Sequence, residues 1–274
     1  MIVKDKYAKL IDEHKWWFPL WNSLVNAVIS SMGKISIENK EGCISADLHV
    51  HSIYSGCSIS KPEDIIKKAV SIGLSCIGIM DHNTVDGALD IIETAEILKQ
   101  KGEISDSFIV IPGCEISNSE VHIGALFLDK KIPRDLNINE TLLAIKEAGG
   151  ISIAVHPFHR TGVGEDFHKY NFDAVETRCG SIFSEELVKL HQNIENDSIL
   201  KHIAKLGTSD GHYINAIGLC STYIEIDNIS SESIKNAILN GKTIPVSSEL
   251  YHKICKMIGN IMDWHDRNRR NKHS

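Results

Sequence analysis

The chain has 274 residues, enough for one large domain or two small ones. Its composition, 42% hydrophobic and 24% charged, is ordinary for a soluble globular protein and argues against a disordered or fibrous one. The formal net charge of −7 argues against nucleic-acid binding through a broad basic surface, but not against a small anionic ligand held by bound cations.

Residues 1–45 read as an N-terminal helical extension. Within it, Trp16 to Gly33 carries no charged residue and includes Trp16, Trp17, Phe18 and Trp21. Its length approaches a membrane span, but Pro19, Asn22, Asn26 and its serines make it poorly apolar. Charged residues recur from Lys4 to Lys15, unlike a signal peptide. An amphipathic helix packed on the domain is favoured over membrane contact through residues 16–33.

From Ala46 to residue 247 the pattern alternates between strand and helix. Ser60 to Asp64 opens a helix, because proline suits a first turn and acids favour the positive end of its dipole. Ile65, Ile66, Ala69 and Val70 form its apolar face, and Gly73 stops it. Cys76 to Met80 is a short buried strand leading into Asp81-His82, and Thr84 to Lys101 is the next helix. Strands at 108–111 and 121–128 follow, then a helix over 140–148 and a strand over 151–155. A strand over 172–176, a helix over 184–195 and a short strand around Leu206 come next. Strand 222–226 and helix 233–239 finish the domain. Residues 248–274 read as a C-terminal helix with a basic tail of Arg267, Arg269, Arg270 and Lys272. This order predicts parallel βα units in an α/β barrel, with the residues after each strand gathered at one face.

Those positions hold histidines and acids: Asp47-Leu48-His49-Val50-His51, Asp81-His82-Asn83, Glu115, His122, His156-Pro157 and Asp210-Gly211-His212. Imidazole nitrogen and carboxylate oxygen suit zinc, manganese and iron. His49 and His51, two apart, share one face of a strand. Asp47 is expected to orient a ligand histidine, and Asp81 to support His82. His156 stands at a strand end as a further ligand. The seven cysteines (43, 57, 76, 114, 179, 220 and 255) form no C-x-x-C pair, which reads as reduced thiols in a cytoplasmic protein.

These motifs, with His-Pro-Phe-His-Arg at 156–160 and Asp-Ala-Val-Glu at 173–176, resemble the PHP-domain (polymerase and histidinol phosphatase) superfamily of metal-dependent phosphoesterases. The resemblance runs from about Ala46 to Val246. It implies a distorted seven-stranded (β/α) barrel of TIM-like type, and two or three divalent metal ions. It makes Glu115 a bridging ligand and groups Asp210 with His49 and His51. It gives His212 to a neighbouring metal and makes His122 a further ligand. Many relatives carry an acid near Cys57; here the thiolate could ligate, the third site could be weak or absent, or the thiol could be unliganded.

The reaction implied is hydrolysis of a small phosphorylated metabolite or nucleotide by a metal-activated hydroxide. Arg160 and Arg178 are candidate phosphate contacts, since guanidinium offers paired donors. His212 and His159 are candidates to protonate the leaving alkoxide, and Asp81 completes the catalytic candidates. Phosphodiester or exonucleolytic cleavage and a non-catalytic metal-binding module are the other readings. Long nucleic acid is not an expected partner.

Overall fold

The structure, a computed structural model, describes residues 17–118, 121–197, 200 and 203–270, with side chains of the last helix to residue 259. Nine strands are described: β1 (Cys43–Val50), β2 (Cys76–Ile79), β3 (Ile109–Ser117), β4 (His122–Leu126), β5 (Ile151–Ala154), β6 (Ala174–Cys179), β7 (Ala204–Thr208), β8 (Cys220–Glu225) and β9 (Thr243–Ser247). They form one sheet in the order β7-β6-β5-β4-β3-β2-β1-β8-β9. The main helices are α1 (Phe18–Met32), α2 (Pro62–Ser71), α3 (Asp86–Gln100), α4 (Ile138–Glu147), α5 (Glu185–Asn193), α6 (Ser231–Leu239) and α7 (Glu249–Arg270).

The expected seven-stranded barrel is the circuit β1 to β7. It closes at the carboxyl-terminal mouth, where the His51 amide donates to the Gly211 carbonyl and the Gly211 amide to that of His49, both at 3.1 Å. Lower down, β8 and β9 fill the gap. There the Thr222 hydroxyl accepts from the Gly207 amide at 2.9 Å and donates to the Gly207 carbonyl at 2.8 Å. Buried residues from eight strands, among them Leu48, Cys76, Ile111, Leu126, Ile153 and Leu206, make the barrel's core, and Ile234 and Ile238 of α6 join it. Helices α2 and α3 cover one flank through Ile65, Ile66, Ile91 and Ala95.

Three features depart from a run of parallel βα units, one being that β8 pairs antiparallel with β1. Strand β4 pairs antiparallel with both β3 and β5. Only four residues separate Ser117 from His122, whereas a parallel crossover needs a dozen or more. Strand β9 has no counterpart among the expected elements. It is the terminal strand of the sheet, where Pro245 costs no interior ladder bond. Helix α2 begins at Pro62 with Glu63 and Asp64 in its first turn, as expected. Helix α4 begins with a capping box that the expected boundary missed: the Asn137 side chain accepts from the Glu140 amide, and the Glu140 carboxylate accepts from the Asn137 amide.

The terminal helices dock on the barrel and on each other. Asn26 of α1 accepts from the Asn215 amide at 2.9 Å, and Trp21 Nε1 donates to the Tyr213 hydroxyl at 3.1 Å. Ile254 and Ile258 of α7 pack with Ile29 and Met32. Trp16, the side chains of Ile261, Met262 and Trp264, and those of the basic tail lie outside the described residues. No described helix is long and apolar enough to cross a membrane.

Asp47 does not orient a histidine ring, as the sequence led us to expect. Its carboxylate accepts the amides of Ser209 at 2.9 Å and Gly218 at 2.8 Å, tying β1 to the segments flanking the β7–β8 connection. Burial pushes its carboxyl up to about 6 against the pull of those donors. Asp47→Ala would leave two buried amides without an acceptor. We expect a loss of roughly 2–5 kcal/mol in chemical denaturation, with Asp47→Asn intermediate.

Candidate metal centre

Five histidines surround one carboxylate. Glu115 Oε1 lies 2.8 Å from His122 Nδ1 and 3.1 Å from His156 Nε2. Its Oε2 lies 3.0 Å from His82 Nδ1, 3.4 Å from His51 Nε2 and 3.6 Å from His49 Nε2. Glu115 is 1% exposed, so these rings, not water, compensate its charge. Burial alone would raise its carboxyl, but hydrogen bonds from His122, His156 and His49 outweigh that and hold it well below the usual range. Glu115 sits inside β3 and not on a turn after it, because β3 runs on through Pro112 to Ser117.

The barrel explains the convergence. His49 and His51 come from the end of β1, His82 follows β2, His156 follows β5, and Asp210 and His212 follow β7. His122 opens β4, and because β4 runs antiparallel, its start lies at the same mouth. Three mouth residues adopt positive φ without being glycine: Asn83 (57°), His156 (28°) and Asp210 (48°). Such backbone is costly for an ordinary side chain and persists where the surroundings impose it.

The interatomic distances test whether the donors suit a cation. His49 Nε2, His51 Nε2 and Asp210 Oδ1 lie 3.1, 3.1 and 3.5 Å apart, and Glu115 Oε2 caps the first two at 3.6 and 3.4 Å. A tetrahedron with metal–nitrogen bonds of about 2.0–2.1 Å has an edge of roughly 3.3 Å. The donor set therefore fits a divalent ion. A second group joins His82, Glu115 and His122, and Glu115 Oε2 also lies 3.6 Å from His49 Nε2 of the first group. His51, Cys57, His82 and His212 form a third group. Cys57 is thus inside the cluster. Burial would raise its thiol, but the His51 charge and hydrogen bonds with His212, His51 and His82 bring it down to about 3.

Hydrogen bonds select the ring tautomers. His49 Nδ1 lies 2.8 Å from Glu176 Oε1, and a carboxylate only accepts, so Nδ1 carries a proton and Nε2 is the nitrogen that would offer its lone pair to a bound cation. His212 Nδ1 donates to the Asp210 carbonyl at 2.8 Å, which leaves Nε2 as its free nitrogen. Glu176 also accepts from the Thr208 hydroxyl and the His156 amide, each at 2.7 Å. It therefore holds three parts of the mouth together. Sequence reading quoted Glu176 within a motif but assigned it no role. The available signal was an acid ending the apolar run Ala174-Val175. Ser181 was also missed: its hydroxyl donates to Asp210 Oδ2 at 2.6 Å.

Two expected site residues stand elsewhere. Arg178 makes a paired contact with Glu195, at 2.8 and 3.0 Å, and is committed there instead of to substrate. Asp81 accepts the amide and hydroxyl of Ser52 at 2.6 and 2.5 Å, locking the end of β2 to that of β1, and does not support the His82 ring or face a reacting group. Gly87 makes that lock feasible: a Cβ there would meet Asp81 Oδ2 at 2.0 Å. His159 lies beside the cluster, its ring 5.4 Å from that of His156, with Nδ1 2.9 Å from the Thr161 hydroxyl. Partial burial and the His156 charge push it below its ordinary value. Arg160 is exposed at the same mouth.

With this geometry in hand, comparison with known proteins is informative. A PHP domain family model matches residues 47–261. An uncharacterized protein of Methanocaldococcus jannaschii is 35% identical over 145 residues, 48% of this chain and 80% of the relative. A two-domain Bacteroides vulgatus protein containing a predicted PHP-like metal-dependent phosphoesterase superposes with a TM-score of 0.60 at 19% identity, over 79% of this chain and 69% of that one. The lesion-specific endonuclease EndoQ of Pyrococcus furiosus superposes with a TM-score of 0.53 at 18% identity, over 75% and 58% of the two chains. The two superpositions bear on fold alone.

Two measurements check the centre. Glu176→Gln should present an amide N–H to His49, reverse its tautomer and weaken metal affinity about 10–100-fold in competition with a chelator, although Glu176 is not itself a ligand. Cobalt-reconstituted protein should show a near-ultraviolet thiolate-to-metal band that disappears in Cys57→Ser. A band unchanged by that substitution would remove Cys57 from the ligand set.

Proposed function

We propose a function on one premise: the chain belongs to the PHP domain family. On that premise the centre is read as a hydrolase of phosphoesters, acting on a small phosphorylated metabolite or nucleotide. The observation that carries the reading is Glu115, a buried carboxylate whose two oxygens face different histidines and which can serve two cations at once. Bound there, divalent cations supply positive charge to phosphoryl oxygens and lower the pKa of a water.

The remaining chemistry falls to the chain. Arg160, exposed and next in the chain to His159, would meet phosphoryl oxygens with its forked donors. His159, lowered from its ordinary value by partial burial and the His156 charge, favours the neutral imidazole that can take a proton from the attacking water. As imidazolium it returns that proton to the leaving oxygen. A bond forms between phosphorus and the water oxygen, the bond from phosphorus to the ester oxygen breaks, and alcohol and phosphate result. The expected donor role of His212 passes to His159, with His212 read as a ligand. The likeness to EndoQ is one of fold, and the net charge of −7 argues against extended contact with nucleic acid.

The test is a screen of phosphomonoesters, phosphodiesters and nucleotides with manganese, zinc or iron bound. Failure to turn over any of them, with metal content verified, would sink the reading. With a substrate in hand, Arg160→Ala should lower kcat/KM about 100-fold, roughly 2.7 kcal/mol, at unchanged metal content. Arg160→Lys should recover only part of this. In metal-saturated enzyme the rate should fall as pH drops through the His159 pKa, which lies below that of an ordinary histidine, and His159→Asn should abolish that limb.

A further inference from the structure

The sequence left open where on the domain the terminal helices pack. They wall a cleft of about 380 Å³ that reaches the centre, within the range of about 300–1,000 Å³ typical of small-molecule sites. Helix α1 offers it Trp21, Leu24 and Val28, spaced along one helix face, and α7 faces them with Ile254 and Met257. The stripe on α1 is 49%, 55% and 43% exposed, much apolar surface to leave in water. At one end the lining changes character: Ser181, Asp210 and His212 belong to both the cleft and the metal centre. The Trp21 N–H is already bonded to the Tyr213 hydroxyl, so it does not interrupt the apolar walls.

We infer that the substrate is an amphiphilic phosphoester, with its phosphoryl group at the metal centre and a long alkyl or isoprenoid group along this cleft. The inference rests on the phosphoesterase reading for the headgroup. The tail follows from the continuity of the apolar walls with Asp210 and His212. A polar metabolite would leave those walls wet, whereas an apolar chain covers them.

The experiment uses the full metal-loaded chain and two series below their micelle concentrations: n-alkyl phosphates for turnover, and the matching non-hydrolysable alkylphosphonates for binding by calorimetry. From methyl to decyl we expect kcat/KM and affinity to rise about three- to fourfold per methylene until the cleft is filled, from ~0.8 kcal/mol per buried CH2. Leu24→Asp and Val28→Asp, at half-exposed positions outside the metal centre, should flatten both series. Equal turnover and binding along the series would overturn the inference and leave the phosphoesterase reading intact. Chain-length-dependent phosphonate binding without turnover of any ester would uphold the cleft and sink the hydrolytic reading. Pelleting with phosphatidylcholine vesicles and no chain-length dependence would also overturn it, and would make the cleft a lipid-contacting surface.

Discussion

The structure turns on a carboxylate that has been taken out of water. An ionised Glu115 at 1% exposure would cost several kcal/mol if left alone. It is tolerated because five imidazole nitrogens from four strand ends lie within 3.6 Å. The imidazoles need the arrangement as much as the acid does. His49 Nε2 and His51 Nε2, 3.1 Å apart and fully buried, hold lone pairs that conflict unless something positive lies between or beside them. The same requirement accounts for the left-handed backbone at His156 and Asp210, since a regular exit from β5 or β7 would aim those side chains elsewhere.

Around this cluster the buried acids divide by what they touch. Glu115, Asp210 and Glu176 meet imidazoles, which hold their carboxyls low despite burial. Asp47 and Asp81 are satisfied mainly by amide and hydroxyl donors, and burial lifts each to about 6. The first set tunes or ligates; the second fastens strands. Asp47 joins β1 to the flanks of the β7–β8 connection and Asp81 joins β2 to β1, so the mouth is laced by acids that need not touch a cation. The His49 ring, by contrast, is oriented by Glu176.

The helix α1 shows a different balance. Its polar Asn22 and Asn26 turn toward the domain, where Asn26 pairs with Asn215, while Leu20, Trp21, Leu24 and Val28 remain largely exposed. A helix that docks through asparagines and leaves its larger apolar residues lining a cleft contributes a surface more than a core. That surface ends at Asp210 and His212, so the extension is joined to the chemistry of the barrel.

Much of the metal centre was legible without coordinates. A ligand motif after an apolar run is a local pattern, and His49, His51, His82, His156, Asp210 and His212 all lie at the ends of strands whose periodicity is local too. The grouping of Asp210 with His49 and His51, the bridging place of Glu115 and the seven-stranded circuit came from family resemblance, because spacing along the chain carries no information on which distant residues meet. What tertiary structure alone decided concerns partners and direction. The antiparallel course of β4 brings His122 to the mouth from the start of a strand, and closure of the barrel sets Glu176 against His49, 127 residues away. Asp47, Asp81 and Arg178 have the same chemical character as ligands and phosphate contacts. Their roles differ only because Ser209, Ser52 and Glu195 were closer once the chain had folded. Cys57, whose place the sequence left open, lies beside three imidazoles. Residue type sets what a side chain can bind, but the barrel decides which group it meets first, and in a buried site the nearest partner wins because an unpaired polar group is so costly.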